Sequence, residues 1–518
     1  MTRTLHPLAL LIPFSLVAQT APAPQETPQP ASQVASSGSD DAVKLTLQDA
    51  IQTAIRNNLQ VGIAQETRNL AKGQLLAAEG AYDWNLTGSA STEKVQDSSA
   101  RQAFTGGPFN TYDTTSYLRN LSLGVAKPFT WGGNLKVDYN PSYSFTKGNV
   151  NGGPMVPFTS GPYDGTVAIT YSQNLLSGFG RTAASANLIV ARNGSKAADY
   201  QFQQSVIQLV ANVETDYWNV VYARENLANI QEALKLAQKQ LDENKIRVQV
   251  GTLAPIEVTQ AEAQVAQQEQ NIITAEAALA NAKDALIRAV YPLEGRPAAI
   301  EATDDPVVQP LTLDEASAEK LAVETRPEMK SAELSLESQK VLAQAARNHT
   351  LPTLNLSVGY VGNAQNADKL SPVNSDLTGG NYPGYNVGLT FAYPILNRAA
   401  KGQLMQANAN LRSSELSLRD EELQVRLDVR QAYRNLEASS RAVAAAEKTR
   451  IYQEQALDAE QKKFENGMST NFIVLQQQTN LTNARTAELQ AKINYANAVT
   501  ALEKAMGHLL EARNLKIQ

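Results

Sequence analysis

Two patterns of apolar and polar positions alternate along the chain. The first has period two. LSLGVA from Leu121, LKVDY from Leu135, VAITYS from Val167, LNLSVGY from Leu354 and VGLTF from Val387 alternate apolar with small or polar residues. Such alternation predicts strands with two unlike faces. A further strand is expected near Leu86, and Gly-, Pro- and Asn-rich loops separate the runs. The second pattern is helical. No proline interrupts Ala183 to Val250, and none follows Pro394. Ala, Gln, Glu, Leu, Asn and Arg dominate there, most of them good helix formers. The apolar stripe is thin: Leu227, Ile230, Leu234 and Leu241, then Leu411, Leu418 and Val425. A seven-residue spacing predicts a coiled-coil seam with the remaining faces in water. A solvated coiled coil and a hollow tube of helices carry the same pattern.

Each helical stretch stops at one glycine and resumes within about five residues, at Gly251 and at Gly467. Glycine supplies the left-handed conformation that ends a helix. Pro255 suits the first turn of the following helix, and Ser469, Thr470 or Asn471 suits a cap in the second case. At about 1.5 Å per residue, 65 residues span roughly 100 Å, so two long antiparallel hairpins are expected.

The order of elements occurs twice. LTLQDA at Leu45 matches LTLDEA at Leu311, with Thr46–Asp49 and Thr312–Glu315 at capping-box spacing. Val167 matches Val387, Tyr217 matches Tyr433, and Gly251 matches Gly467, at offsets of 266, 220, 216 and 216. The first copy therefore carries 46 extra residues ahead of its VAIT strand. The expected organisation is a signal peptide at 1–22, a Pro/Ser/Gln leader at 23–42 and a first repeat at 43–310. That repeat holds strands at about 85–174, a helical hairpin at about 183–290 and an equatorial linker at 291–310. A second repeat at 311–508 holds strands at about 353–394 and a hairpin at about 400–507; a tail follows at 509–518.

Composition narrows the chemistry. The net charge is −6, and no basic block points to nucleic acid. There is no cysteine, so disulfides, thiolate ligands and an N-terminal lipidated cysteine are excluded. His6, His349 and His508 are isolated in sequence. No catalytic, cofactor-binding or metal site is expected, and no G-x-x-x-x-G-K-[ST] loop is present. Arg3 and the apolar run Leu8–Val17 have the form of a secretory signal. No other run reaches the 18 or so apolar residues of a membrane helix. Of 32 aromatics, 19 lie in Tyr82–Tyr171 and Tyr360–Tyr393. Aromatics on short alternating strands suit the girdles of an outer-membrane barrel. A soluble sandwich with an aromatic core is the alternative.

On the duplicated LTL openings, the junctions NLLSGFGR (Asn174–Arg181) and PILNRAAKG (Pro394–Gly402), and the tips VGTLAPIEV and NGMSTNFIV, the sequence resembles the TolC family of outer-membrane efflux ducts over about residues 43–508. The resemblance implies an α+β membrane protein with two structural repeats per chain. Its trimeric, shared transmembrane β-barrel is continuous with a long periplasmic α-helical barrel, and a belt surrounds the middle. It implies a passive exit duct in the outer membrane, extending into the periplasm and working with a periplasmic adaptor and an inner-membrane pump. The expected partners are thus further copies of the chain, the adaptor, the pump and outer-membrane lipid, with no cofactor and no nucleic acid. The family norm is four strands per chain. The extra residues around TWGGN (Thr130–Asn134) predict six, hence eighteen in a trimer, with a hairpin projecting outside the barrel as the alternative. An adaptor-like or structural coiled-coil protein is the competing class.

Carried over by position, the adaptor-docking tips are Val250, Gly251, Thr252 and Leu253, with Asn466, Gly467, Met468 and Ser469. The family's periplasmic constriction falls on Glu257, Phe464, Ile473 and Gln476. The family pattern has acidic residues where Ile473 and Gln476 stand, and a Tyr and an Arg where Phe464 and Ser469 stand. The resemblance therefore implies closure by packing and hydrogen bonds, with weaker cation selectivity.

Overall fold

A computed structural model describes residues 43–102, 109–157, 163–291, 295–297, 299–308 and 314–515. The expected signal peptide and leader, the Thr312 cap and parts of the 291–310 linker lie outside the described residues. In chain order the elements are β1 (Val43–Leu45), α1 (Leu47–Asn57), α2 (Leu59–Gly80), β2 (Asn85–Gln102), β3 (Phe109–Pro128), β4 (Gly133–Val150), β5 (Val156–Pro157) and β6 (Tyr163–Asn174). Then come α3 (Arg181–Ala184), α4 (Ala186–Gln249), α5 (Ile256–Val290), β7 (Ile300–Ala302), α6 (Glu315–Thr325) and α7 (Pro327–Asn348). The chain continues with β8 (Thr353–Asn366), α8 (Leu370–Gly379), β9 (Pro383–Ala392), α9 (Arg398–Glu465), α10 (Asn471–Ala505) and α11 (Leu509–Ala512).

The period-two segments form one antiparallel sheet in the order β2-β3-β4-β6-β8-β9, with β5 paired to β4. The extra hairpin is inside this sheet: β3 pairs with β2 and β4 pairs with β6. Its turn, Phe129–Gly133, is closed by the Phe129 amide on the Gly133 carbonyl at 2.8 Å. Gly132 has φ +92°, and a Cβ there would overlap the Gly178 carbonyl oxygen. This turn thus docks on the first strand-to-helix junction, where the Gly180 amide also reaches the Trp131 carbonyl at 3.3 Å. Asn348, at the end of α7, accepts the Gly178 amide through Oδ1 at 2.6 Å.

Helices α4 and α9, of 64 and 68 residues, run the length of the helical region, roughly 100 Å each. Each is flanked by two shorter helices. On the sheet side α2 packs on α4, and α7 bridges α4 and α9; beyond the middle α5 packs on α4, and α10 bridges α4 and α9. No described helix is long and apolar enough to cross a membrane. The predicted seam residues Leu227, Ile230, Leu234, Leu241, Leu411 and Leu418 are only half-buried, whereas Val425 is fully enclosed. Below mid-length the buried positions of α4 are Ala237, Gln240 and Asn244, so the hairpins meet through small and polar side chains.

The apolar core concentrates at mid-length. Val206, Val210, Val213, Tyr217, Val220 and Val221 of α4 close over α1, the end of α5 and the parallel pair β1–β7. A second cluster joins α6, α9 and α10 through Val425, Val429, Leu436 and Leu502. The expected belt therefore contains Val43–Asn57 and Ile300–Ala302. The α1 cap is as expected, with Thr46 Oγ1 accepting the Asp49 amide at 3.2 Å. The second cap differs from expectation. Asp314 takes the cap position of α6, accepting the Ser317 amide at 3.3 Å, and Glu315 is the first helical residue. A carboxylate at a helix N-terminus also opposes the helix dipole, which the reading of Thr312–Glu315 as a capping box overlooked. Pro255 stands at the cap of α5 itself rather than inside its first turn.

Candidate channel wall and helical tips

The sheet has two chemically distinct faces, fixed by register. One carries Leu86, Leu123, Val137, Ile169, Val358 and Val387, and its aromatics meet across strands: Tyr143–Tyr163 centroids lie 5.1 Å apart and Tyr360–Tyr385 5.5 Å apart. The other carries Ser122, Asn140, Asn174 and Asn355, which bond to one another in pairs (Ser122–Asn140 2.6 Å, Asn355–Asn174 3.0 Å), and the ion pair Lys136–Asp138 at 3.0 Å. The apolar face is most open at the two edges of the sheet. Leu86 on β2 is 79% exposed, and Tyr385, Val387 and Phe391 on β9 are 79%, 74% and 64% exposed. Neither edge strand has an outer partner among the described residues. A strand edge with unpaired amides and an apolar face is unstable in either water or lipid until something pairs with it.

The belt ties the helices to the start and end of the chain. Tyr217 is fully buried. Its hydroxyl donates to the Leu45 carbonyl at 3.1 Å and accepts the Thr303 and Asp304 amides at 3.1 and 3.0 Å. Burial raises the Tyr217 pKa, so the hydroxyl stays protonated and can donate. Three residues earlier, Glu214 is also fully enclosed. Arg513 grips it with two bonds of 2.7 and 3.0 Å, and Thr500 of α10 donates to it as well. Arg513 loses hydration there, but its bonds to Glu214 and its attraction to Glu214 and Glu503 outweigh that and raise its pKa. The predicted tail thus begins with α11 and clamps a carboxylate on α4.

The two tips share one backbone design. After α4 the Gly251 amide bonds the Val248 carbonyl at 3.0 Å and the Thr252 amide bonds Arg247 at 2.9 Å. After α9 the Gly467 amide bonds Phe464 at 3.1 Å and the Met468 amide bonds Lys463 at 2.8 Å. Both are Schellman turns, with φ +78° and +73° at the glycines and no atom within 4 Å of an added Cβ. Val250, Thr252, Asn466 and Met468 are exposed, while Leu253 and Ser469 are half-buried. The Ser469 hydroxyl donates to Glu460 instead of capping α10; Thr470 holds the cap position without a side-chain bond.

The four residues proposed for a constriction do not share one surface. Ile473 and Gln476 are exposed on α10, and Glu257 is half-buried on α5. Phe464, at 6% exposure, is packed inside the second hairpin with Leu457, Val474 and Leu481. It is capped by Arg247, whose guanidinium lies 4.5 Å from the ring centroid. The ring is thus enclosed by its own chain, with Arg247 of the first hairpin against it. One tip residue escaped the sequence reading, and another, Asn471, is the first residue of α10 rather than its cap. Arg247 sits one turn before Gly251, where a cation favours the helix C-terminus, but its partner is 217 residues away. Asn471 is buried, and its side-chain amide has no partner among the described residues. Among the same residues no cluster of His, Asp or Glu is arranged to hold a metal.

An open two-faced sheet joined to paired hairpins of this length is the architecture seen in solved outer-membrane channels. The profile of the outer membrane efflux protein family matches residues 147–290 and 320–508, and the chain belongs to that family and to the bacterial outer membrane. Over 321 residues it is 27% identical to the outer membrane protein TolC of Escherichia coli K12, covering 60% of this chain and 64% of that protein. The fold is that of the Vibrio cholerae outer membrane protein VceC (TM-score 0.64, 17% identity, 89% of this chain and 96% of that one). It is also that of the Campylobacter jejuni outer-membrane channel CmeC (TM-score 0.63, 18% identity, 91% and 90%).

Proposed function

We propose that the protein is a passive exit duct of the outer membrane. Three copies complete one cylinder whose upper part is an eighteen-stranded barrel and whose lower part is a tube of helices reaching through the periplasm. The observation that carries this is the six-stranded sheet, apolar on one face, polar on the other and unpaired at β2 and β9. β2 and β9 run in opposite directions, so β9 of one copy can pair antiparallel with β2 of the next. Closure removes every edge and turns the apolar face to lipid and the polar face to water. The two halves, 43–310 and 311–508, act as repeats of one plan. Each places one hairpin in the wall of the tube.

In this reading the energy comes from an inner-membrane pump, reached through a periplasmic adaptor that docks on Val250–Leu253 and Asn466–Ser469. The exposure of Val250 and Met468, at 67% and 71%, supports docking there. The periplasmic constriction is formed by Glu257, Ile473 and Gln476 around the three-fold axis. The test is the mass of the detergent-solubilised protein together with conductance in planar bilayers. A trimer with stable channels is expected; a monomer that conducts nothing refutes the proposal.

A further inference from the structure

Charges in the sheet are sorted by face. On the polar face at mid-sheet and above lie Glu93, Asp97, Asp138 and Asp164, with Lys136 paired to Asp138. On the apolar face, above Leu121, lie Lys94 of β2, Arg119 of β3 and Lys147 of β4. The three cations surround two rings. The ammonium groups of Lys94 and Lys147 are each 5.9 Å from the Tyr117 centroid, and the Arg119 guanidinium is 5.8 Å from that of Tyr143. None of the three pairs with a carboxylate among the described residues. The acid on this face, Asp113, lies four residues beyond Tyr117 and accepts the Ser98 hydroxyl at 2.5 Å.

The height of this patch is informative. On the same face, Lys127 marks the other limit of the apolar band, beside Trp84 at 5.7 Å and bonded to the Tyr82 carbonyl. At about 3.4 Å per residue and a strand tilt of about 40°, Arg119 stands about 21 Å above Lys127 along the barrel axis. Lys147, paired with Thr115, stands about 31 Å above it on the same reckoning. The apolar belt of an outer-membrane barrel is about 25 Å tall, so the patch straddles its outer border. Helix α8 lies on this face beside the patch, with Val373 and Leu377 seated 2.6 and 2.9 Å from where a Gly165 side chain would begin, and Asn374 bonded to the Tyr139 hydroxyl at 2.6 Å. Ser371 and Thr378 on this helix are exposed, as is Leu370 at 37%.

We infer that Lys94, Arg119 and Lys147 form a docking surface for the phosphate-bearing headgroups of outer-leaflet glycolipids. Cations held over aromatic rings at the edge of an apolar band present fixed charge to an anionic headgroup while the acyl chains lie on the wall below. This rests on the barrel reading above, since it needs the apolar face to meet lipid.

The probe is bisphosphorylated lipid A, compared with its enzymatically dephosphorylated form, in nanodiscs of zwitterionic lipid. Bound copies are counted by native mass spectrometry of the full assembly. Wild type is expected to retain the phosphorylated form over the other by roughly tenfold or more, and Lys94→Gln/Arg119→Gln/Lys147→Gln to lose that preference. Lys136→Gln, on the opposite face, should keep it. Should the triple variant not assemble, Arg119→Gln alone should reduce the preference and Arg119→Lys should restore most of it. Equal retention of both lipids by inserted wild type overturns this inference and leaves the barrel standing. Wild type that does not insert overturns both. Retention lost with added inorganic phosphate but indifferent to lipid phosphorylation assigns the patch to free anions and likewise overturns it.

Discussion

The first and second halves of the chain answer the same mechanical problem with different chemistry. Their hairpins agree closely: helices of 64 and 35 residues in one, 68 and 35 in the other, with the same Schellman turn at each tip. Their sheets do not agree. The first half contributes β2, β3, β4 and β6, with the short β5, and the second only β8 and β9. Helix length must match wherever two hairpins stand side by side. A sheet that closes with further copies tolerates an added hairpin, because two more antiparallel strands leave the direction of both edges unchanged. The halves also differ at their middles. At an offset of 216, Glu214 of α4 corresponds to Arg430 of α9. Glu214 is fully enclosed and held by Arg513 and Thr500, whereas Arg430 is half-exposed and reaches across to Glu319 of α6.

That inequality gives the largest expected effect. Glu214→Leu leaves the Arg513 guanidinium with Glu503 alone in the belt, and removing one member of a buried pair costs up to about 3–5 kcal/mol. Arg430→Leu removes a half-exposed guanidinium from the buried Glu319, which keeps Arg426 at 3.8 Å, and should cost less. Denaturant unfolding of the two variants measures both; equal losses would show that the belt does not distinguish the halves. The tyrosines three residues on provide a smaller version of the same contrast. Tyr217→Phe leaves the Asp304 amide without its acceptor, at about 1–3 kcal/mol, while the Thr303 amide keeps the Leu45 carbonyl at 3.2 Å. Tyr433, half-buried, makes no side-chain hydrogen bond among the described residues, and Tyr433→Phe should stay within about 0.5 kcal/mol. Faster proteolysis at Ile300–Ala302 in the first variant but not the second checks this.

The tips should show no such inequality. Both glycines are left-handed and both have open space around the missing Cβ, so Gly251→Ala and Gly467→Ala differ from wild type by backbone strain alone, about 1–2 kcal/mol each. A tip that lost markedly more than the other would reveal a contact on the glycine that the single chain does not contain.

Much of this was legible in the sequence because it is local. Period-two runs located β3, β4, β6, β8 and β9, with β2 expected near Leu86, and one glycine at the same offset in each half located both tips. The inclusion of the extra hairpin in the sheet followed from its alternation and its short turn. What escaped depends on distant partners. Nothing near Glu214 separates it from the many solvated glutamates on the same helix, since Arg513 lies 299 residues away. Phe464 was assigned by position in a family pattern, and the side that a single aromatic faces is decided by Arg247 and by α10. Helix α8 falls in a Gly-, Pro- and Asn-rich stretch read as loop; Val373 and Leu377 form a helix there because Gly165 leaves room for them on the sheet. Asp314 displaced the expected cap because the helix begins at Glu315, three residues after Thr312.

Two glutamates on one helix sharpen the contrast between belt and hairpin further, and with opposite signs. Burial raises the pKa of Glu503 above its ordinary 4.5, outweighing the attraction of Arg513, whose Nη2 is 2.9 Å away. Burial also acts on Glu488, but bonds from Lys492 and Arg450 prevail and lower its pKa. For Glu503 the folded state holds the proton more tightly than the unfolded chain. Its contribution to stability is therefore present below about pH 4.5 and is lost as the pH rises through the raised folded value. For Glu488 the contribution is present above about pH 4.5 and is lost as the pH falls through the lowered folded value. Glu503→Gln, fixed in the neutral form, should thus be more stable than wild type at pH 7, with the gain fading toward pH 4.5. Glu488→Gln should be less stable at pH 7, and its deficit should close only below pH 4.5. Melting temperatures of the two variants across pH 4–8 test this. Curves that move together with pH would mean that α10 experiences one environment along its length, and that the belt is no drier than the hairpin below it.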